Sequence, residues 1–94
     1  MRLNPSELSA IRTTLGALDP HGRVYLFGSR ADDLRRGGDI DIFLEASREI
    51  DLRSALTTEY RLHTACDCKV DLLIKTPSQA DQLIHQIARK GIPL

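Results

Sequence analysis

An apolar run, Val24-Tyr25-Leu26-Phe27, stops at Gly28-Ser29, and nine residues later Gly37-Gly38 opens into Asp39-Ile40-Asp41-Ile42-Phe43-Leu44. This pairing of two strand-like runs across a short polar spacer constrains the chain most. Side chains alternate faces along a strand, so Asp39 and Asp41 point one way and Ile40 and Ile42 the other. Two carboxylates then converge on one face of a short strand. The strand before it ends in a glycine, which permits close backbone approach, with a serine beside it. Such an arrangement suits a divalent cation and a phosphate held side by side.

The rest of the chain supplies elements around that pair. Asn4-Pro5-Ser6-Glu7 reads as a capped helix start, and Leu8, Ile11, Leu15 and Leu18 then recur at helical spacing. Asp19-Pro20-His21-Gly22 ends that helix, and Arg23 to Phe27 reads as a strand buried on both faces. Arg30 to Arg35 is expected to form about two helical turns starting at Gly28-Ser29, whose free N–H groups would face a phosphate. Asp39 to Glu45 is the second strand. A second helix is expected from about Ile50 to Thr64, with Leu52, Leu56 and Tyr60 along its core line.

Cys68 to Lys75 is the third strand, read as a central one that Asp71 interrupts. A lone buried carboxylate is costly, so a positive group such as Lys69, Lys75 or an arginine is expected beside it. Thr76-Pro77-Ser78-Gln79 repeats the capping pattern and predicts a last helix running to about Lys90, with Leu83, Ile84, Ile87 and Ala88 facing inward. Gly91 would cap it, leaving a short apolar tail, Ile92-Pro93-Leu94, to dock on the domain or a partner. The expectation is one domain over residues 1–94: a small mixed three-stranded sheet in an α/β (α+β) fold with about four helices, in the order α-β-α-β-α-β-α.

Composition limits what such a domain does. At 94 residues there is room for one core and no separate substrate domain, so the substrate is small or is brought by a partner. Thirteen Lys and Arg against 13 Asp and Glu argue against a dedicated nucleic-acid binder. No apolar run suits a signal peptide or a membrane span, and a cytoplasmic protein is expected. Cys66 and Cys68, one residue apart, are read as buried free thiols in a reducing compartment. His21, His63 and His85 lack metal-ligand spacing and are read as surface residues.

If Asp39, Asp41 and Asp71 converge, their repulsion is relieved by shared divalent metal, and oxygen-only ligands suit magnesium or manganese. With Gly28-Ser29 as a phosphate cradle, the parts match two-metal phosphoryl or nucleotidyl transfer. Asp71 would also help deprotonate the attacking hydroxyl. Taken singly, each part has a plainer reading: a turn, two edge acids, a salt-bridged carboxylate. Arg30 reads equally as a phosphate ligand and as a solvated helix-end arginine.

Together, Leu26-Phe27-Gly28-Ser29-Arg30, Gly37-Gly38-Asp39-Ile40-Asp41-Ile42 and Val70-Asp71-Leu72-Leu73 resemble the DNA polymerase β-type nucleotidyltransferase superfamily. Within it the chain resembles the minimal nucleotidyltransferases, over nearly its whole length. The Ser29–Asp39 spacer is one residue shorter than in many members. The resemblance implies ATP as the nucleotide donor, phosphates on Gly28, Ser29 and Arg30, and Mg2+ or Mn2+ on Asp39, Asp41 and Asp71. It also implies a helical HEPN-family toxin as partner in a hetero-oligomer, AMP being transferred to its tyrosine hydroxyl. A non-catalytic antitoxin of the same fold is the alternative. Small-molecule transfer ranks below both, because those enzymes generally carry an additional substrate domain.

Overall fold

A computed structural model describes residues 3–32 and 38–94. Helix α1 spans Pro5–Leu18, and its start follows from Asn4. The Asn4 side chain accepts the Glu7 N–H at 2.7 Å, and the Glu7 carboxylate accepts the Asn4 N–H at 3.0 Å. Ile11 and Leu15 are fully buried on its inner face. Strand β1, Arg23–Phe27, has the expected limits and runs into a single 3-10 turn, Gly28–Ala31. That turn replaces the start of the expected two-turn helix, whose remainder at 33–35 lies outside the described residues, as does Gly37.

Strand β2, Ile40–Glu45, pairs antiparallel with β1; helix α2, Leu52–Cys66, then crosses over to β3, Val70–Lys75, which pairs parallel with β2. A mixed sheet is what the short β1–β2 connection and the long β2–β3 connection require. Helix α3, Leu83–Arg89, leads to a two-residue strand β4, Ile92–Pro93, which pairs antiparallel with β1. The sheet order is β3-β2-β1-β4. The fold class is therefore the expected α+β, but the described residues form four strands rather than three, and three α-helices and one 3-10 turn rather than about four helices. The fourth strand is the tail itself, the Leu94 N–H donating to the Val24 carbonyl at 2.9 Å.

Ile40, Ile42 and Leu44 of β2 and Leu26 of β1 pack with α1 and α2 in the main core. The opposite sheet face carries a smaller cluster, Tyr25, Phe43 and Ala88, with Phe27 and Leu73 packed against it. The Asp41 side chain belongs to this second face by strand alternation.

Several placements differ from those the sequence suggested. Strand β3 is an edge, not the centre, so Asp71 is 51% exposed rather than buried. Two outward backbone groups of that edge are met from α2: Glu59 accepts the Leu72 N–H at 2.8 Å, and His63 Nε2 lies 2.7 Å from the Val70 carbonyl oxygen. Covering an open edge in this way keeps other strands from adding to it. Helix α2 turns Thr58 and Leu62 inward, leaving Leu52 (74%), Leu56 (58%) and Tyr60 (70%) exposed. That apolar line lies roughly a third of a turn around the helix from the row that packs.

The last helix starts six residues later than its capping pattern implies. Ser78 donates its N–H and hydroxyl to Glu49 at 3.1 and 2.6 Å, which holds that segment as a turn. The helix begins after Gln82, whose N–H donates to His85 Nδ1 at 3.0 Å. His85 is 1% exposed and stacks on Phe43 with ring centroids 5.7 Å apart, so it is a core residue and not a surface one. Ala88 is buried, but Leu83, Ile84 and Ile87 face outward. Cys66 and Cys68 are free and half-buried against the main core.

Candidate active site

Strand register brings the predicted residues together. Asp41 lies directly beside Asp71 across the parallel β2–β3 pair, and beside Phe27 across the antiparallel β1–β2 pair. Asp39 precedes β2 by one residue, on the same side as Asp41 by alternation. All three carboxylates therefore emerge at the end of the sheet where β1 gives way to the Gly28 turn. Burial pushes the Asp41 carboxyl above the usual range, and the charges of Asp71 and Asp39 add to it. The Lys69 ammonium lies 3.9 Å from Asp39 and 3.8 Å from Asp71 and partly offsets that repulsion. Lys69 is thus the positive neighbour the sequence called for.

Gly28 has φ +72°, in the region that favours glycine. A β-carbon on Gly28 would collide with Asp41 Oδ2 and stand 3.0 Å from its Cγ. The glycine is required twice over, by backbone angle and by the approach of the Asp41 carboxylate. Ser29 follows in the same 3-10 turn, and the Asp32 N–H donates to its carbonyl at 3.2 Å.

Arg30 turns toward α1. It donates from one guanidinium nitrogen to the Gly38 carbonyl at 2.9 Å and pairs from the other with Glu7 at 3.5 Å. Nothing local marks the Glu7–Arg30 pair, which joins two opposite charges 23 positions apart.

The Asp39 and Asp71 side chains are about half exposed, at 55% and 51%. A concavity of about 420 Å³ is lined by Gly22, Arg23, Val24, Tyr25, Pro93 and Leu94, at the other end of β1 from Gly28. Three carboxylates at one end of the sheet, one of them raised by burial and by the charges of the other two, are a donor set suited to a hard divalent cation. Among the described residues, no three His, Cys, Asp or Glu side chains are already gathered closely enough to hold one. By chemistry the three carboxylates fit magnesium or manganese, hard oxygen donors for a hard cation.

Residues 11–94 match the family described as Polymerase beta, Nucleotidyltransferase. The chain belongs to this nucleotidyltransferase family. It is also similar to a chain in the crystal structure of a mutant of the toxin-antitoxin MntA-HpeT. The identity is 27% and the TM-score 0.78, over 99% of this chain and 72% of that one. No curated protein matches the sequence. Family and structural relative together support a minimal nucleotidyltransferase of the antitoxin type. No helix among the described residues is long and apolar enough to cross a membrane.

Proposed function

We propose that the chain is a cytoplasmic, magnesium- or manganese-dependent nucleotidyltransferase that moves AMP from ATP to a tyrosine hydroxyl of a HEPN-family helical toxin, releasing pyrophosphate as the α–β phosphoanhydride breaks, and so acts as its antitoxin. The observation that carries this reading is the register of Asp41 against Asp71, with Asp39 on the same side and Gly28 packed on Asp41. Asp39, Asp41 and Asp71 would hold the metal, which when bound supplies positive charge to the triphosphate and to the attacking oxygen. Gly28 lets the backbone approach the phosphates without a side chain between them, and Ser29 adds a hydroxyl beside it. Asp71, half exposed on an edge strand, is open to an incoming hydroxyl and takes its proton. The half exposure of Asp39 and Asp71 supports a protein acceptor, which can reach them from outside the domain.

A second reading, an antitoxin that acts by covering its partner without chemistry, is favoured by a different observation. Among the described residues, six large apolar ones are exposed in two groups, Leu52, Leu56 and Tyr60 on α2 and Leu83, Ile84 and Ile87 on α3. Exposed apolar groups of this kind suit a protein interface.

The test is an intact-mass measurement on a candidate HEPN-family toxin, incubated with this protein, Mg2+ and ATP. A gain of one or more nucleoside monophosphate units, lost with Asp39→Ala/Asp41→Ala, is expected. A stable complex with no mass change would favour the covering antitoxin. Undiminished transfer by the double variant would refute the site.

A further inference from the structure

Asp39 lies just outside β2, where no strand pairing of its own holds it, and the position of its carboxylate depends on how its backbone is fixed. On its C-terminal side, the Ile40 N–H donates to the Lys69 carbonyl at 3.1 Å. On its N-terminal side, the Gly38 carbonyl accepts from the Arg30 guanidinium at 2.9 Å. Arg30 is itself anchored by Glu7, at 3.5 Å, with the two side chains only 16% and 11% exposed. Glu7 belongs to the capping box of α1. A chain of contacts thus runs from the start of α1 through Glu7 and Arg30 to the peptide preceding Asp39.

We infer that Arg30, seated by Glu7, is a positioning residue that fixes Asp39 for metal binding, and is not a phosphate ligand. The inference rests on the metal-dependent reading of the site. The helix that carries Glu7 packs on the Ile40, Ile42 and Leu44 face, whereas Asp41 and Asp71 project from the Phe43 face. Arg30 is drawn to the first of these faces, and a triphosphate beside the carboxylates would lie on the second. A planar guanidinium suits the role because it holds a carbonyl and a carboxylate at once in a fixed geometry. Outer contacts of this kind set metal affinity without touching the metal.

The experiment measures Mn2+ binding to the full chain by the EPR signal of free Mn2+, in the presence of a non-hydrolysable ATP analogue, for wild type, Glu7→Gln, Arg30→Met and Arg30→Lys. Melting temperatures are taken in parallel. Glu7→Gln keeps an oxygen to accept the Asn4 N–H, so α1 stays capped even if Arg30→Met fails to fold. Both Glu7→Gln and Arg30→Met are expected to weaken Mn2+ binding by about 10-fold or more. A combined Glu7→Gln/Arg30→Met variant should be no worse than Arg30→Met alone, since the two act in one chain of contacts. Arg30→Lys, which can hold one partner at a time, should fall between. Analogue binding in EDTA should be unchanged throughout.

Unchanged Mn2+ affinity in Glu7→Gln overturns the inference. So does an Arg30→Met variant that loses analogue binding in EDTA, because that is the signature of a direct phosphate ligand. A wild type that binds Mn2+ and analogue but modifies no toxin would refute the transfer reaction and leave the positioning role standing. A wild type that binds no Mn2+ overturns both.

Discussion

Gly28→Ala separates two demands that the fold places on one residue. The backbone at Gly28 has φ +72°, where an L-residue costs roughly 1–2 kcal/mol. The added methyl would also meet the Asp41 carboxylate, whose Cγ and Cβ lie 3.0 and 3.3 Å from the β-carbon position. Forcing a group into such a space costs about 1–3 kcal/mol. The sum, about 2–5 kcal/mol, is a large share of the ~5–15 kcal/mol by which a small domain is stable. The two parts can be told apart, because removing the Asp41 side chain relieves the collision and leaves the backbone cost.

Urea unfolding followed by far-UV circular dichroism on wild type, Gly28→Ala, Asp41→Ala and the double variant gives the cycle. Gly28→Ala should cost about 2–5 kcal/mol in wild type and about 1–2 kcal/mol in the Asp41→Ala background, a coupling of about 1–3 kcal/mol. Asp41→Asn, which keeps the bulk of the side chain, should restore most of the larger cost. Asp41→Ala alone should be neutral or mildly stabilising, since it removes a carboxylate crowded by Asp71 and Asp39. Equal costs of Gly28→Ala in the two backgrounds would refute the argument that Gly28 is kept small for Asp41.

Two further outcomes follow from other buried groups. Asp19 is 4% exposed; burial works to raise its carboxyl, but the Ser47 hydroxyl, the Ser47 N–H at 2.7 Å, the His21 N–H and Arg48 together hold it below the usual range. A lowered carboxyl contributes stability above its unfolded pKa of ~3.9 and loses it as pH falls through the lower folded value. Asp19→Ala should therefore cost about 2–4 kcal/mol near neutral pH by orphaning the Ser47 donors. The gap from wild type should narrow below pH ~4 in chemical denaturation; a gap that is constant with pH would count against the carboxylate. Burial pushes the Cys66 thiol up to about 11, so it should alkylate with iodoacetamide at pH 8 roughly 100-fold more slowly than an unperturbed thiol. Equal rates in the native and urea-unfolded chain would contradict that placement.

What was legible in the sequence depended on whether the deciding contact was local. The Asn4 capping signature and the limits of β1 are local, and both appear as read. Thr76-Pro77-Ser78-Gln79 carries a signature like that of Asn4 and does not start a helix, because Glu49, 29 residues earlier, takes the Ser78 donors. Likewise Leu52, Leu56 and Tyr60 form a good apolar row, but the row that packs is set by where α1 and β3 lie. Periodicity identifies a stripe, and only the fold selects which one is covered. The edge position of β3 was hidden for a related reason. Val70, Leu72 and Ile74 are apolar enough for a central strand, while the side chains that cover the open edge, Glu59 and His63, come from α2.

The carboxyl groups themselves distinguish the site from the rest of the fold. Asp19, Glu49, Asp51 and Asp81 are all held below the usual range, each bonded by a donor: Ser47, Ser78, Ser54 and Arg89. These acids tie loops, caps and helix ends to their neighbours, and their charge suits the folded chain. Asp41 goes the other way: burial and two neighbouring carboxylates raise it, and the residue packed against it is a glycine at positive φ. A fold selected for stability alone has little reason to put Asp71 beside Asp41 when an apolar residue at either position would remove the repulsion. Keeping three acids together at one end of the sheet is explicable if a positive group is to arrive there. Lys69 meets part of that need from a largely exposed position, within 4 Å of Asp39 and Asp71, as a charge that can move aside. Among the described carboxyl groups with a shifted pKa, the one raised thus sits beside the Gly-Ser and within the Asp-x-Asp residues that resemble a nucleotidyltransferase site.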